Sequence, residues 1–341
     1  VTRATARLAV ALSVHVVCPQ TLLAQELEIT DRSIIAGTQG QTTFNFAGTP
    51  QCDAKGNLFI APLAGSSTEV DEFWRVSSDG RQVAHLRPRS VPGFESAGLQ
   101  ALAVGPDGQA HVLVAVPRKS GQGQQYIVTF DRKGESRSKP VRLEGLWATR
   151  LAVFDSGRYL VAGSAEHAGS TLFVVDASGN ILTAVRPSGD PAKRPPDEPR
   201  IGDSPPPDDE RFLPAMTYAE STNDDSVVVV RPTLEGPVFE ISSSGEVART
   251  FELVPPVGAT RLAGVKVSRG RLAALYRMHP DDSGTPRFTT AVFDLATQVR
   301  LAEYSNALGI FTCYDTDGST DSFSFLRAEE KGLAIVRARP R

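Results

Sequence analysis

The sequence predicts an all-β protein built from short antiparallel four-stranded units repeated around a ring, and three observations carry that expectation. One hairpin recurs along the chain, an apolar strand running into a Gly-centred turn. It is seen at Phe73–Gly80 (FWRVSSDG), Ile127–Gly134 (IVTFDRKG), Leu172–Gly179 (LFVVDASG) and Val238–Gly245 (VFEISSSG). A degenerate copy, Ala291–Gln298 (AVFDLATQ), has lost its Gly. Each hairpin follows another short apolar strand, and a sixth such strand lies near the C-terminus. These second strands are Leu58–Ala61, Ala110–Val116, Tyr159–Ala162, Val227–Val230, Leu272–Tyr276 and Phe323–Leu326. Ahead of most of them lies a first strand ending in a Gly or Asp turn, as in Leu102–Gly108, Leu151–Gly157 and Val265–Gly270. Ala148–Ala152 and Ala259–Ala263 both read ATRLA, which supports internal duplication.

The second strands start at 58, 110, 159, 227, 272 and 323, giving spacings of 52, 49, 68, 45 and 51 residues. Four strands in roughly 45–50 residues is the period of a β-propeller blade, so six second strands predict six blades. The last blade has strands at Ile310–Tyr314, Phe323–Leu326 and Leu333–Arg337 but no outer strand. Leu27–Asp31 is a spare strand near the other end of the chain and is expected to complete it, removing an open sheet edge. The long spacing contains a Pro-rich, charged insertion at 187–214, including KRPPDEP at 193–199 and SPPPDD at 204–209. Missing backbone donors and high charge density make it a loop between blades three and four. It is either a tolerated insertion or a lid over a ligand face.

Composition narrows the function classes. The chain has 341 residues and a net charge of −3, so bulk electrostatics do not point to nucleic acid. Apolar residues make up 40%, and no internal apolar run approaches the ~20 residues needed to span a bilayer. Arg3 and Arg7 precede an apolar run from Leu8 to Val17, and Leu22-Leu23-Ala24 offers a small residue for cleavage. Residues 1–24 therefore read as a signal peptide, Gln25 as the mature N-terminus, and 25–341 as a single domain in a secreted or periplasmic protein. Cys18 raises a lipoprotein alternative. Cys52 and Cys313 lie near opposite ends of the chain; they are either a disulfide, which export permits, or two buried thiols.

Propeller geometry sorts the loops. Loops after second strands, and connections between blades, share one end of the central channel, whereas the short Gly turns lie at the other. The first group is long and polar (64–72, 118–125, 164–170, 279–287), and such loops on a rigid scaffold are where binding residues sit. Arg118, Arg231, Arg277 and Arg327 follow the ends of second strands there, and Arg150 and Arg261 lie in first-strand openings at the same end. Their guanidinium groups could hold carboxylate or phosphate through paired hydrogen bonds. The alternative is that carboxylates such as Glu220, Asp224 and Glu329 pair with them and tie blades together. His167 and His279 occupy face loops with acid/base capacity.

Segments such as Asp53–Ile60 (DAKGNLFI), Gly105–Gly108 (GPDG) and Phe173–Leu182 (FVVDASGNIL) carry a family resemblance. Over most of Gln51–Arg341 the chain resembles the six-bladed propellers of the NHL-repeat and gluconolactonase-like superfamily. That resemblance implies a divalent cation, Ca²⁺ for instance, held in the channel by oxygens from several blades. Glu166, Asn223, Asp224 and Asp281 are the oxygen candidates, though no spacing singles them out. No Gly-x-Ser-x-Gly, His-Glu-x-x-His or phosphate-binding Gly-Lys loop is present. Asp315–Asp321 (DTDGSTD) reads as a turn. The leading expectation is thus an exported, monomeric binding module for an anionic small molecule or glycan. A metal-dependent lactonase or esterase is the enzymatic alternative, and a scaffold docking a protein partner is the third.

Overall fold

The computed structural model describes residues 24–40, 44–63, 70–117, 123–136, 139–165, 169–185, 218–222, 224–280, 287–306 and 309–341. The chain is all-β in a propeller-like arrangement. Among the described residues, four four-stranded antiparallel sheets follow one another: the first at 51–86, the second at 98–143, the third at 146–184 and the fourth at 218–251. A two-residue pairing of Asn45–Phe46 with Pro62–Leu63 flanks the first. An eight-stranded sheet completes the set. Where sequence expects separate blades, its two four-stranded runs, 259–306 and 310–340 with Gln25–Ile34, are fused. Gln25–Ile34 runs antiparallel to Gly332–Pro340 over most of its length, and its first two residues also pair in parallel with Tyr304 and Ser305. No helix among the described residues is long and apolar enough to cross a membrane. Residues 1–23 and the 187–214 insertion lie outside the described residues.

The apolar second strands have a simple cause, since both of their faces are covered. Val227 and Val229 pack with Leu160 and Val174 of the third sheet, whereas Val228 and Val230 pack with Leu272 and Tyr276 on the opposite side. A similar apolar layer fills each gap between neighbouring sheets, and Leu58, Ile60 and Val76 of the first sheet meet Leu326, Leu333 and Ile335 of the 310–340 run. The core is therefore a series of wedges around a channel, with the innermost strand of each unit lining it.

The recurrent Gly has two roles. At Gly179 the backbone is left-handed (φ 94°), and an added Cβ would overlap the carbonyl oxygen of Arg142, on the outer strand of the preceding sheet. Gly134 packs in the same way on His85. The turn glycine is thus where one sheet seats on the last. In the degenerate copy, Gln298 retains a left-handed φ of 62° without the glycine. Gly179→Ala should lower the unfolding free energy by about 2–4 kcal/mol, combining left-handed strain with overpacking. Gly157 has a similar φ of 78° but nothing within 4 Å of an added Cβ. Gly157→Ala should lose only about 1–2 kcal/mol. Equal losses in urea denaturation would remove the packing role.

Candidate functional site

A repeated local device shapes the channel mouth at the long-loop end. Near the start of three innermost strands a β-bulge inserts a Thr, at 149, 260 and 312. A bulge leaves one residue outside the ladder, and a hydroxyl can satisfy what it exposes. Thr149, Thr260 and Thr312 each donate to a carbonyl of the facing strand, those of Ala162, Arg277 and Ser324, at 3.2, 3.0 and 2.9 Å. The duplicated ATRLA openings are two of these bulges. Each delivers an arginine one residue later, Arg150 and Arg261, where both are exposed.

The carboxylates named as alternative partners of the arginines are placed elsewhere. Arg261 stands directly opposite Arg277 in the antiparallel register, two like charges face to face. Such a pair is mutually destabilising when nothing bridges it. Among the described residues, no carboxylate pairs with Arg150, Arg231, Arg261, Arg277 or Arg327. Glu220 is instead held by Lys266, and Glu329 by Arg32 at 3.3 Å. Asp224 sits at the opposite end of the channel, in the turn before Ser226–Val230. Arg231 follows Val230, which pairs with Tyr218, and its buried Nε has no hydrogen-bond partner. Burial raises the Tyr218 phenol above its usual range, while the nearby Arg261 charge pulls it down. Arg231, Tyr218, Arg261 and Arg277 thus bring unpaired guanidinium groups together where the fourth sheet meets the 259–306 run. Arg150 and Arg327 extend the positive rim to either side. His279 is exposed and lines a cavity of about 460 Å³ with Glu26, Met278, Arg287 and Thr289. Arg118, Glu166, His167, Asn223 and Asp281 lie outside the described residues.

The short-turn end, where sequence expects no ligand, holds a larger cavity of about 990 Å³. Small side chains on the innermost strands, including Ala103, Ala152 and Ala219, leave this space open. Several of its charges are paired with one another. Lys266, almost fully buried, donates to Glu220 Oε1 at 2.5 Å and to the Pro50 carbonyl at 2.7 Å. Burial raises the Glu220 carboxyl above the ordinary range against the pull of Lys266. Arg249 lies 3.5 Å from Glu240, and Arg269 lies 4.0 Å from Asp315. Cys52 is joined to Cys313 on the wall of this cavity, with their Cα atoms 5.7 Å apart. Gln51 bonds both Leu102 O and Val104 N of the second sheet. Residues 50–52 therefore tie the first sheet to the second and to both runs of the eight-stranded sheet. Lys266 and this hub were missed at the sequence level, where Lys266 reads only as one polar position in a Val-Lys-Val strand.

Of the oxygen candidates for the divalent cation that the family resemblance implies, only Asp224 lies among the described residues, and it lines the short-turn cavity. Among the described residues no group of three or more His, Cys, Asp or Glu could hold a metal ion, and the buried channel carboxylate, Glu220, is already neutralised by Lys266. No protein-family model and no curated protein matches the chain. Among solved structures, the chain is similar to a calcium-binding protein, regucalcin, from Agrobacterium tumefaciens. Identity is 13%, covering 94% of this chain and 98% of that one, with a TM-score of 0.48. It is also similar to virginiamycin B lyase from Staphylococcus aureus, at 14% identity, 93% and 100% coverage and a TM-score of 0.43.

Proposed function

We propose that this protein is an exported six-bladed β-propeller that binds an anionic ligand at the long-loop mouth of its channel. Counting the two runs of the eight-stranded sheet as separate blades is supported by their joining through only two parallel residue pairs. Export is supported by the Cys52–Cys313 bond, since disulfides persist in oxidising compartments. The observation that carries the binding reading is the register pair Arg261 and Arg277, exposed, opposed and without a carboxylate partner among the described residues. Two guanidinium groups held side by side match a carboxylate or phosphate that accepts from both. The cavity at the other end is larger, but its buried cation, Lys266, is already paired with Glu220.

The reading has a double signature. In Arg277→Met the like-charge opposition is gone, so the ligand-free protein should become more stable by roughly 0.2–1 kcal/mol. The same variant should lose the rise in melting temperature that a bound anion confers on the native chain. Differential scanning fluorimetry with citrate, phosphate and glucuronate at low and high salt reads both effects. If no anion stabilises the native chain at low salt, or if Arg277→Met responds as the native chain does, the reading fails.

A further inference from the structure

The two tryptophans of the chain are placed very differently. Trp74 is tied down: its indole N–H donates to Glu72 at 2.7 Å and its ring meets His85 edge-on. Trp147 is 45% exposed and its N–H has no protein partner among the described residues. It begins the innermost strand of the third sheet, at the long-loop end. Its ring reaches Gly123 of the second sheet, lying 3.5 Å from where a Cβ there would be. Three positions further on, across the Thr149 bulge, Arg150 gives one N–H to the Thr149 carbonyl at 2.8 Å and has no carboxylate partner among the described residues. On the far side of the mouth, Ile310 is 47% exposed. Its register partner Leu326 directly precedes the unpaired Arg327. Exposed apolar side chains thus flank the opening on two sides, and on the third sheet Trp147 shares its strand with Arg150.

We infer that this mouth takes an acidic oligosaccharide, a chain of carboxylated sugar rings, with Trp147 stacking on one ring and Arg150 receiving its carboxylate. The inference rests on the anion-binding reading of the same end and gives it a ligand class. An indole supplies a broad, rigid apolar face, and Trp and Arg are the side chains that dominate recognition energetics. The apolar face of a pyranose suits the indole, and a uronic acid ring carries its charge at one edge, where a guanidinium can grip it. The distribution of the cations separates this class from nucleotides. Arginines with no carboxylate partner among the described residues occur on the third sheet, beside the fourth sheet and on both runs of the eight-stranded sheet, which suits one charge per ring along an oligomer. A nucleotide would concentrate its charge at a single phosphate group.

The test uses Trp74→Phe protein, in which Trp147 is the only indole. Oligogalacturonate of four to six residues should shift or quench its fluorescence saturably. The fully methyl-esterified oligomer, which keeps the rings and loses the charges, should bind about tenfold or more weakly. Calorimetry on Trp147→Ala should show about a tenfold loss of affinity for oligogalacturonate, with Trp147→Phe recovering part of it and circular dichroism unchanged in both. Arginine-dependent oligogalacturonate binding that leaves Trp147 fluorescence and the Trp147→Ala affinity unmoved overturns the inference while the anion reading stands. Preferential quenching by adenosine monophosphate overturns it in favour of a nucleotide. Failure of every anion to bind overturns both readings.

Discussion

Lys266→Met should lower the unfolding free energy by about 3–5 kcal/mol at pH 8, because it leaves the Glu220 carboxylate without its counter-charge in the channel. The side chains are 3% and 17% exposed, so water can make good only part of the loss. The penalty should shrink as pH falls. Burial already holds the Glu220 carboxyl above its ordinary range, and without Lys266 it rises further. The folded variant then keeps a proton that the unfolded chain has released. Its stability is therefore highest below the unfolded-state pKa and declines as pH rises toward the folded one. Urea denaturation of both proteins at pH 5 and pH 8 measures the difference. A loss of equal size at both values would show that Glu220 is hydrated and the pair unimportant. Lys266→Met combined with Glu220→Leu should recover most of the stability, since removing both charges avoids the desolvation cost.

Removing the covalent clasp is the second large effect. Cys52 and Cys313 are 261 residues apart, so the bond closes almost the whole described chain into one loop. Loop-closure entropy for that length is on the order of 5 kcal/mol, and loss of native disulfides typically costs about 2–5 kcal/mol. Cys52→Ser with Cys313→Ser should fall in that range. The denaturant slope should rise because the unfolded ensemble expands. The local structure adds a reason: Gln51–Cys52 is a two-residue strand, paired only with Leu58 and Phe59. Without the clasp, the Pro50 carbonyl that receives Lys266 is held by less. Peptide mapping without reductant identifies the bond, and native protein that loses no stability on reduction and alkylation would contradict its role.

Which parts of this were legible in advance follows from the range of the forces involved. The hairpin glycines could be read because left-handed backbone is a local demand, and even Gln298 obeys it after losing the glycine. The runs such as Val227–Val230 could be read because covering both faces removes the polar alternation of an exposed sheet. The Thr bulges are half visible: the ATRLA duplication is in the text, but nothing in it says that Thr149 and Thr260 step out of the ladder. The arginines at the mouth were found by counting strand ends, yet their freedom from carboxylates was not foreseeable. Glu220 is near Arg231 in sequence, and only folding brings it to Lys266 instead. Trp147 gave no signal at all, since an indole in a strand normally reads as core.

By itself, the sequence determined the strand grammar and the apolar wedges, both of which depend on neighbours within a hairpin or on a period of two. The tertiary structure alone decided who pairs with whom across the channel: Lys266 with Glu220, Cys52 with Cys313, Arg261 facing Arg277 with no carboxylate between. Those outcomes depend on closing a ring of strands dozens to hundreds of residues apart. Electrostatic partners are chosen there by distance in space, which strand periodicity does not encode.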